Sequence, residues 1–176
     1  MISIFLQTAL LFGLIAQTNG QNLARPEVPD KIKAPASEEI ILQGHAAGSQ
    51  IYVCQSGTGN AFAWTLKAPE AELRDEQGKV IIQHYAGPSW KHNDGSSITG
   101  KAVARVDSPD ADSIPWLLVN VTGHSGEGVL SRVTSVQRIR TKGGQPPPAD
   151  QCSTATQNHE VKSSYTADYY FYAPGK

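Results

Sequence analysis

The chain has 176 residues, with 15 basic and 16 acidic side chains and a formal net charge of -1. That balance excludes nucleic acid or an anionic membrane surface as the main partner, because both reward a basic excess. The length suits one domain with a core of its own.

Residues 1–20, MISIFLQTALLFGLIAQTNG, carry no charged side chain and hold an apolar run from Ile4 to Ala16. They read as a secretory signal peptide with cleavage between Gly20 and Gln21, although the basic n-region is missing. The run is shorter than a span of ~20 residues, so no stable membrane insertion is expected. The expected location is secreted and extracellular, or periplasmic in a bacterium. Residues 21–38 are polar and contain Pro26, Pro29 and Pro35. Proline denies this stretch both helix and central-strand pairing, which predicts an extended arm that reaches or wraps the domain.

From residue 39 to 176 the sequence breaks into β-branched and aromatic runs separated by Gly, Pro, Asn and Asp. In chain order they are EIILQ, SQIYVCQ, AFAWTLK, AELRD, KVIIQHY, SITGKAVARV, PWLLVNVT, SRVTSVQRIRT and SYTADYYFY. About nine short strands with little helix predict a single antiparallel β-sandwich or barrel. Gly78 suits a hairpin between AELRD and KVIIQHY, and Asn93-Asp94-Gly95 a second turn. APEAELRDEQ is also compatible with a short helix, and Val133, Val136 and Ile139 are spaced by three. Strands are favoured in both places, with a bulge absorbing the slip in alternation.

Cys54 and Cys152 are an even count in an exported chain and are expected to be bridged. A metal or redox pair would call for a CxxC spacing that is missing. GSSITGKA, residues 95–102, is one residue short of a phosphate-binding loop, because Ala102 replaces the hydroxyl that would hold magnesium. The alternating run after it makes Gly95 a turn and Gly100 a bulge or close approach. GHSGE, residues 123–127, and Gly57-Thr58-Gly59 fail as a nucleophile elbow and a dinucleotide fingerprint for similar reasons. No cofactor is expected.

The histidines show no metal-binding spacing, and His84, His92 and Asp94 form the best group for a metal. Glu127, Asp168 and Asp94 are isolated acids. The aromatic content is more suggestive of binding, since Tyr85, Trp90 and Trp116 lie close to Pro88 and Pro115. In the last run Tyr165, Ala167, Tyr169 and Phe171 share one face, with Asp168, Tyr170 and Tyr172 on the other. A buried strand is the expected reading, and a sugar platform the sharper one. In PWLLVNVT, Leu117, Val119 and Val121 oppose Trp116, Leu118 and Asn120. Asn120 heads a sequon usable in a eukaryote. Arg132, Arg138, Arg140 and Lys142 fall on one side of an unbroken strand and read as a solvated basic stripe, with binding of an anionic polysaccharide or phosphate as the sharper alternative.

His84-Tyr85-Ala86-Gly87-Pro88-Ser89-Trp90, Asp94-Gly95-Ser96, Ile114-Pro115-Trp116-Leu117-Leu118, Gln137-Arg138, Thr141-Lys142-Gly143-Gly144 and the closing Tyr165 to Tyr172 run occur in this order. Together with Ile51-Tyr52-Val53-Cys54 and Trp64 they resemble the family catalogued as domain of unknown function 3455. The resemblance runs from about Gly44 to Tyr172. It implies a secreted single domain, strengthens the Cys54 to Cys152 pairing, and brings no established activity.

The expectation is therefore a binding module whose extracellular ligand, a cell-wall polysaccharide being one candidate, meets His84, Tyr85, Trp90, Asp94 and Trp116. The alternatives are a metal-dependent or acid/base enzyme built from His84, His92, Asp94 and Asp168, and a structural coat or matrix protein. Nothing in the pattern specifies an oligomeric state.

Overall fold

Alternating burial along β-branched segments produces eight strands in the computed structural model, which describes residues 23–175. The expected signal peptide, with its expected cleavage between Gly20 and Gln21, lies outside the described residues. The strands are β1 (Glu38–Ser56), β2 (Phe62–Arg74), β3 (Val80–Tyr85), β4 (Ser89–His92), β5 (Ser97–Val106), β6 (Trp116–Ser125), β7 (Ser135–Gly143) and β8 (Glu160–Pro174). Each pairs antiparallel with the next, and β8 pairs with β1, which closes an up-and-down barrel.

Nine sequence runs become eight strands by two fusions and one addition. EIILQ and SQIYVCQ are one strand of 19 residues, continuous through Gly44 and Gly48. AFAWTLK and AELRD fuse through Pro69. Proline is tolerated there because β2 pairs with β3 only from Ala71 onward, leaving Pro69 on an edge. The addition is β4, four residues whose pattern is too short to read as a strand. APEAELRDEQ is strand up to Arg74, and only 3-10 turns interrupt the sheet among the described residues. No helix among them is long and apolar enough to cross a membrane.

Two apolar clusters form on opposite faces of the sheet. The inner one gathers Leu73, Ile82, Trp90, Ile98, Val136, Tyr169 and Phe171. The outer one is completed by the N-terminal arm, whose Ile32 and Ala34 cover Ile139, Tyr170 and Tyr172. Arg25 stacks over the Tyr172 ring at 5.2 Å and donates to the Ala34 carbonyl at 3.1 Å. Gln137 reaches out to the same arm and donates to the Ile32 carbonyl at 2.6 Å. The arm therefore explains why β8 is aromatic on both faces.

One end of the barrel is plugged by the 3-10 turn Val129–Arg132, with Leu130 fully buried. Asp94 holds this plug, accepting from the Val129 N–H at 2.8 Å and from the Ser96 hydroxyl at 2.6 Å. The glycines of the near phosphate loop have structural work instead. Gly95 turns with φ of 96°, and Gly100 lies at a bulge where a Cβ would meet the Val119 Cγ1 at 2.6 Å.

Near the other end Cys54 and Cys152 are bridged, with Cα atoms 5.4 Å apart and a separation of 98 positions in sequence. Closing so long a loop removes ~4.7 kcal/mol of unfolded-state entropy in the chain model. Replacing both with Ser should lower the unfolding free energy by about 2 to 5 kcal/mol while far-UV circular dichroism keeps its β signature. A loss below ~1 kcal/mol would show that the loop after β7 is already ordered without the bridge.

Candidate functional site

The barrel is narrow on one side because the β3–β4 hairpin is short. Beyond that hairpin, β2 up to Glu70 pairs with β1 alone, and β5 after Gly100 with β6 alone. Two strand edges thus face one another across a lateral window whose sill is Gly87 and Pro88. Of the large apolar side chains most exposed among the described residues, Leu66, Tyr85 and Val103 at 50%, 43% and 51%, Leu66 lines it. The window opens on a cavity of about 290 Å3 lined by residues from all eight strands.

The mouth is formed by Leu66 to Pro69 of β2 and Ala102 of β5, and the walls by Leu117 and Val119. The inner surface carries Gln50, His84, Trp90, Arg138 and Tyr169. Register fixes Arg138 here: on β7 it lies beside Leu117 on one flank and Tyr169 on the other, both inward-facing. Its Nη2 donates to the Pro115 carbonyl at 2.9 Å, while its Nε is buried without a partner. Among the described residues Arg138 makes no ion pair, and the cavity lining contains no carboxylate.

His84 stacks on Trp90 with ring centroids 4.5 Å apart and planes 9° from parallel, and Tyr169 meets both rings edge-on. The Ser89 carbonyl lies 2.8 Å from His84 Nδ1 and can only accept, so Nδ1 carries the proton and Nε2 is left as an acceptor. Burial, reinforced by the Arg138 charge, lowers the His84 pKa to about 4. The ring is therefore neutral at pH 7. Burial raises the Tyr165 phenol well above its ordinary range, where it pairs with Tyr169 at 3.3 Å. Four buried side-chain nitrogens or amides among the described residues lack a hydrogen-bond partner, and three of them, Gln50 Nε2, Trp90 Nε1 and Arg138 Nε, belong to cavity-lining residues.

The structure brings together two of the five residues expected to bind ligand. His84 and Trp90 are in the cavity wall, though Trp90 is only 1% exposed. Tyr85, next along β3, points to the outside. Asp94 is in the plug turn, where its hydrogen bonds to Ser96 and Val129 hold its carboxyl well below the usual range. Trp116 packs in the outer cluster, and its Nε1 is the fourth unpartnered nitrogen. Among the described residues no three His, Cys, Asp or Glu gather in a metal-holding group. His92 pairs with Asp94 at 3.0 Å, while His84 points into the barrel, so that trio does not assemble. Asp168 sits on the outer face with His45 at 2.6 Å and Arg140 at 3.1 Å. Asn120 is exposed on β6.

The basic stripe requires correction. Arg132 is in the plug turn, Arg138 points inward, and a bulge with Arg140 at φ of 49° turns the later residues over. Gln50 is thus a polar cavity residue that the sequence did not single out, and Arg138 carries an anion-binding reading in the sequence only as one of a surface stripe, not as an inward-facing group. Alternation from the inward-facing Val136, two residues earlier on the same face, is the signal that would place Arg138 inside.

These features define a class: closed eight-stranded antiparallel barrels with a polar group set in an interior chamber. The chain belongs to the family described as Protein of unknown function (DUF3455), whose model matches residues 35–173. No curated protein and no solved structure matches it.

The His84 environment has a consequence for stability. Its folded pKa of about 4 lies below the unfolded value of ~6.5, so the unfolded chain binds the proton more readily between these limits. Stability should be full above pH ~6.5 and fall as pH drops toward 4, by up to ~3 kcal/mol from this residue. Denaturant titrations of wild type and His84→Gln across this range should converge as pH falls. Parallel curves would mean that His84 is not held neutral.

Proposed function

We propose that the protein is an exported, non-enzymatic binding protein that takes a small ligand into the barrel through the window between β2 and β5. The observation that carries this reading is the concentration of three unpartnered buried polar groups on one cavity. A buried polar group without a partner costs ~1–3 kcal/mol, and three on one chamber are rationalised by a ligand that satisfies them. The volume of about 290 Å3 suits a compact molecule. The charge-free leader and the Cys54–Cys152 bridge support export.

A polysaccharide platform has weaker support, because flat sugar binding needs exposed rings and Trp90 is buried while Trp116 packs under the arm-covered face. An acid/base enzyme is also less well supported. Its four residues are distributed over the chamber, the plug and the outer surface.

The neutral dye N-phenyl-1-naphthylamine provides a test. It should bind with saturable, one-to-one fluorescence enhancement, and Ala102→Trp at the exposed mouth should reduce the affinity at least tenfold without lowering Tm. Unsaturable enhancement, or equal binding by the blocked variant, would contradict the reading.

A further inference from the structure

Resting on the binding reading above, we propose that the chamber is built for a monoanionic carboxylate attached to an apolar body, with Arg138 supplying the only positive charge that meets it. The argument is one of charge balance. A guanidinium removed from bulk water and left without a counter-ion is destabilising, so proteins pair such groups or place them where a ligand will do so. Arg138 is only partly exposed, donates to one backbone carbonyl, and has a buried, unpartnered Nε. The Arg138 charge acts on His84, Tyr52 and Tyr165; burial holds the imidazole neutral and raises both phenols, so none of the three carries a negative charge at neutral pH.

Lys67 at the mouth is already matched by Glu160. The chamber therefore has one unmatched positive charge, which balances one negative charge. A carboxylate fits better than a phosphate dianion on that count, and its planar pair of oxygens matches the guanidinium fork. The remaining unpartnered atoms have the same polarity. Gln50 Nε2 and Trp90 Nε1 are donors, so a group that only accepts can satisfy all three nitrogens. The rest of the wall defines the body of the ligand: Leu117, Val119, Ala102 and the faces of Trp90 and Tyr169 are apolar. His84 adds one acceptor and, being neutral, leaves the charge of the chamber unchanged.

The test compares ligands of one shape and different charge. Octanoate and 2-naphthoate are titrated calorimetrically into the wild-type protein beside octanamide, 2-naphthamide, octylamine and octyl phosphate. At least one carboxylate should bind one to one and at least tenfold more tightly than its amide, its amine or the phosphate. Arg138→Gln should lose at least tenfold of the carboxylate affinity and little of the amide affinity. An amide or amine that binds as tightly as the carboxylate would overturn the anion assignment while leaving the binding reading intact. Tighter octyl phosphate would replace the ligand class. Binding of none of the six, with the neutral dye also failing, would remove both. Because the wild-type comparison needs no variant, a misfolded Arg138→Gln would not rescue the proposal.

Discussion

The pairing of β1 with β8 is the constraint on which the rest of the molecule depends. It runs from Glu38 opposite Pro174 to Val53 opposite Glu160, and it turns a meander that would otherwise end in two bare edges into a closed barrel. Closure from such long strands forces the short β3–β4 hairpin to bridge the opposite wall, which it can do over only part of the height. The window is the geometric remainder. Its rim is largely apolar, formed by Leu66, Ala68 and Pro69 of β2 and Ala102 of β5.

The same closure governs the chemistry inside. Eight strands leave an interior that side chains almost fill, so a chamber persists only where small residues such as Ala102 replace bulky ones. Placing Arg138 and Gln50 on the inner face costs stability that the surrounding aromatic packing must offset. Trp90, Tyr169 and Phe171 meet edge to face at centroid distances of 6.1 and 6.3 Å around Trp90, an arrangement that adds to their burial energy. Asp94 holds the Val129–Arg132 turn, and the Cys54–Cys152 bridge ties the segment after β7 to β1. On the proposed binding reading, such an arrangement would separate the rigid frame from the recognition surface, as a preformed site requires.

Much of the frame was legible in the sequence. Alternation assigned both faces of β8 and β6 correctly, the cysteine count predicted the bridge, and the turn at Asp94-Gly95 lies where the residue types place it. The site was less legible, for three physical reasons. Closure is a long-range property, so no local pattern announces that β2 and β5 stop pairing above the hairpin. The four-residue β4 is too short to show a period, which left Trp90 looking like a loop aromatic available to ligand. The bulge at Arg140 shifts alternation within β7, and counting even positions through it placed Arg138 on a solvated stripe when its neighbours Leu117 and Tyr169 face inward. The arm was recognised as extended from its prolines, yet its role as the cover of Tyr170 and Tyr172 depended on a contact 105 residues away, Gln137 with Ile32.

The most direct test of the account is a nitrogen–proton NMR titration of side-chain N–H groups in the intact protein with octanoate. Trp90 Nε1, Gln50 Nε2 and Arg138 Nε should shift together along one saturation curve, while Trp116 Nε1, buried and unpartnered on the far side of the sheet, stays in place. Movement of Trp116 with the other three unmoved, or no saturable movement at all, would contradict an interior binding chamber centred on Arg138.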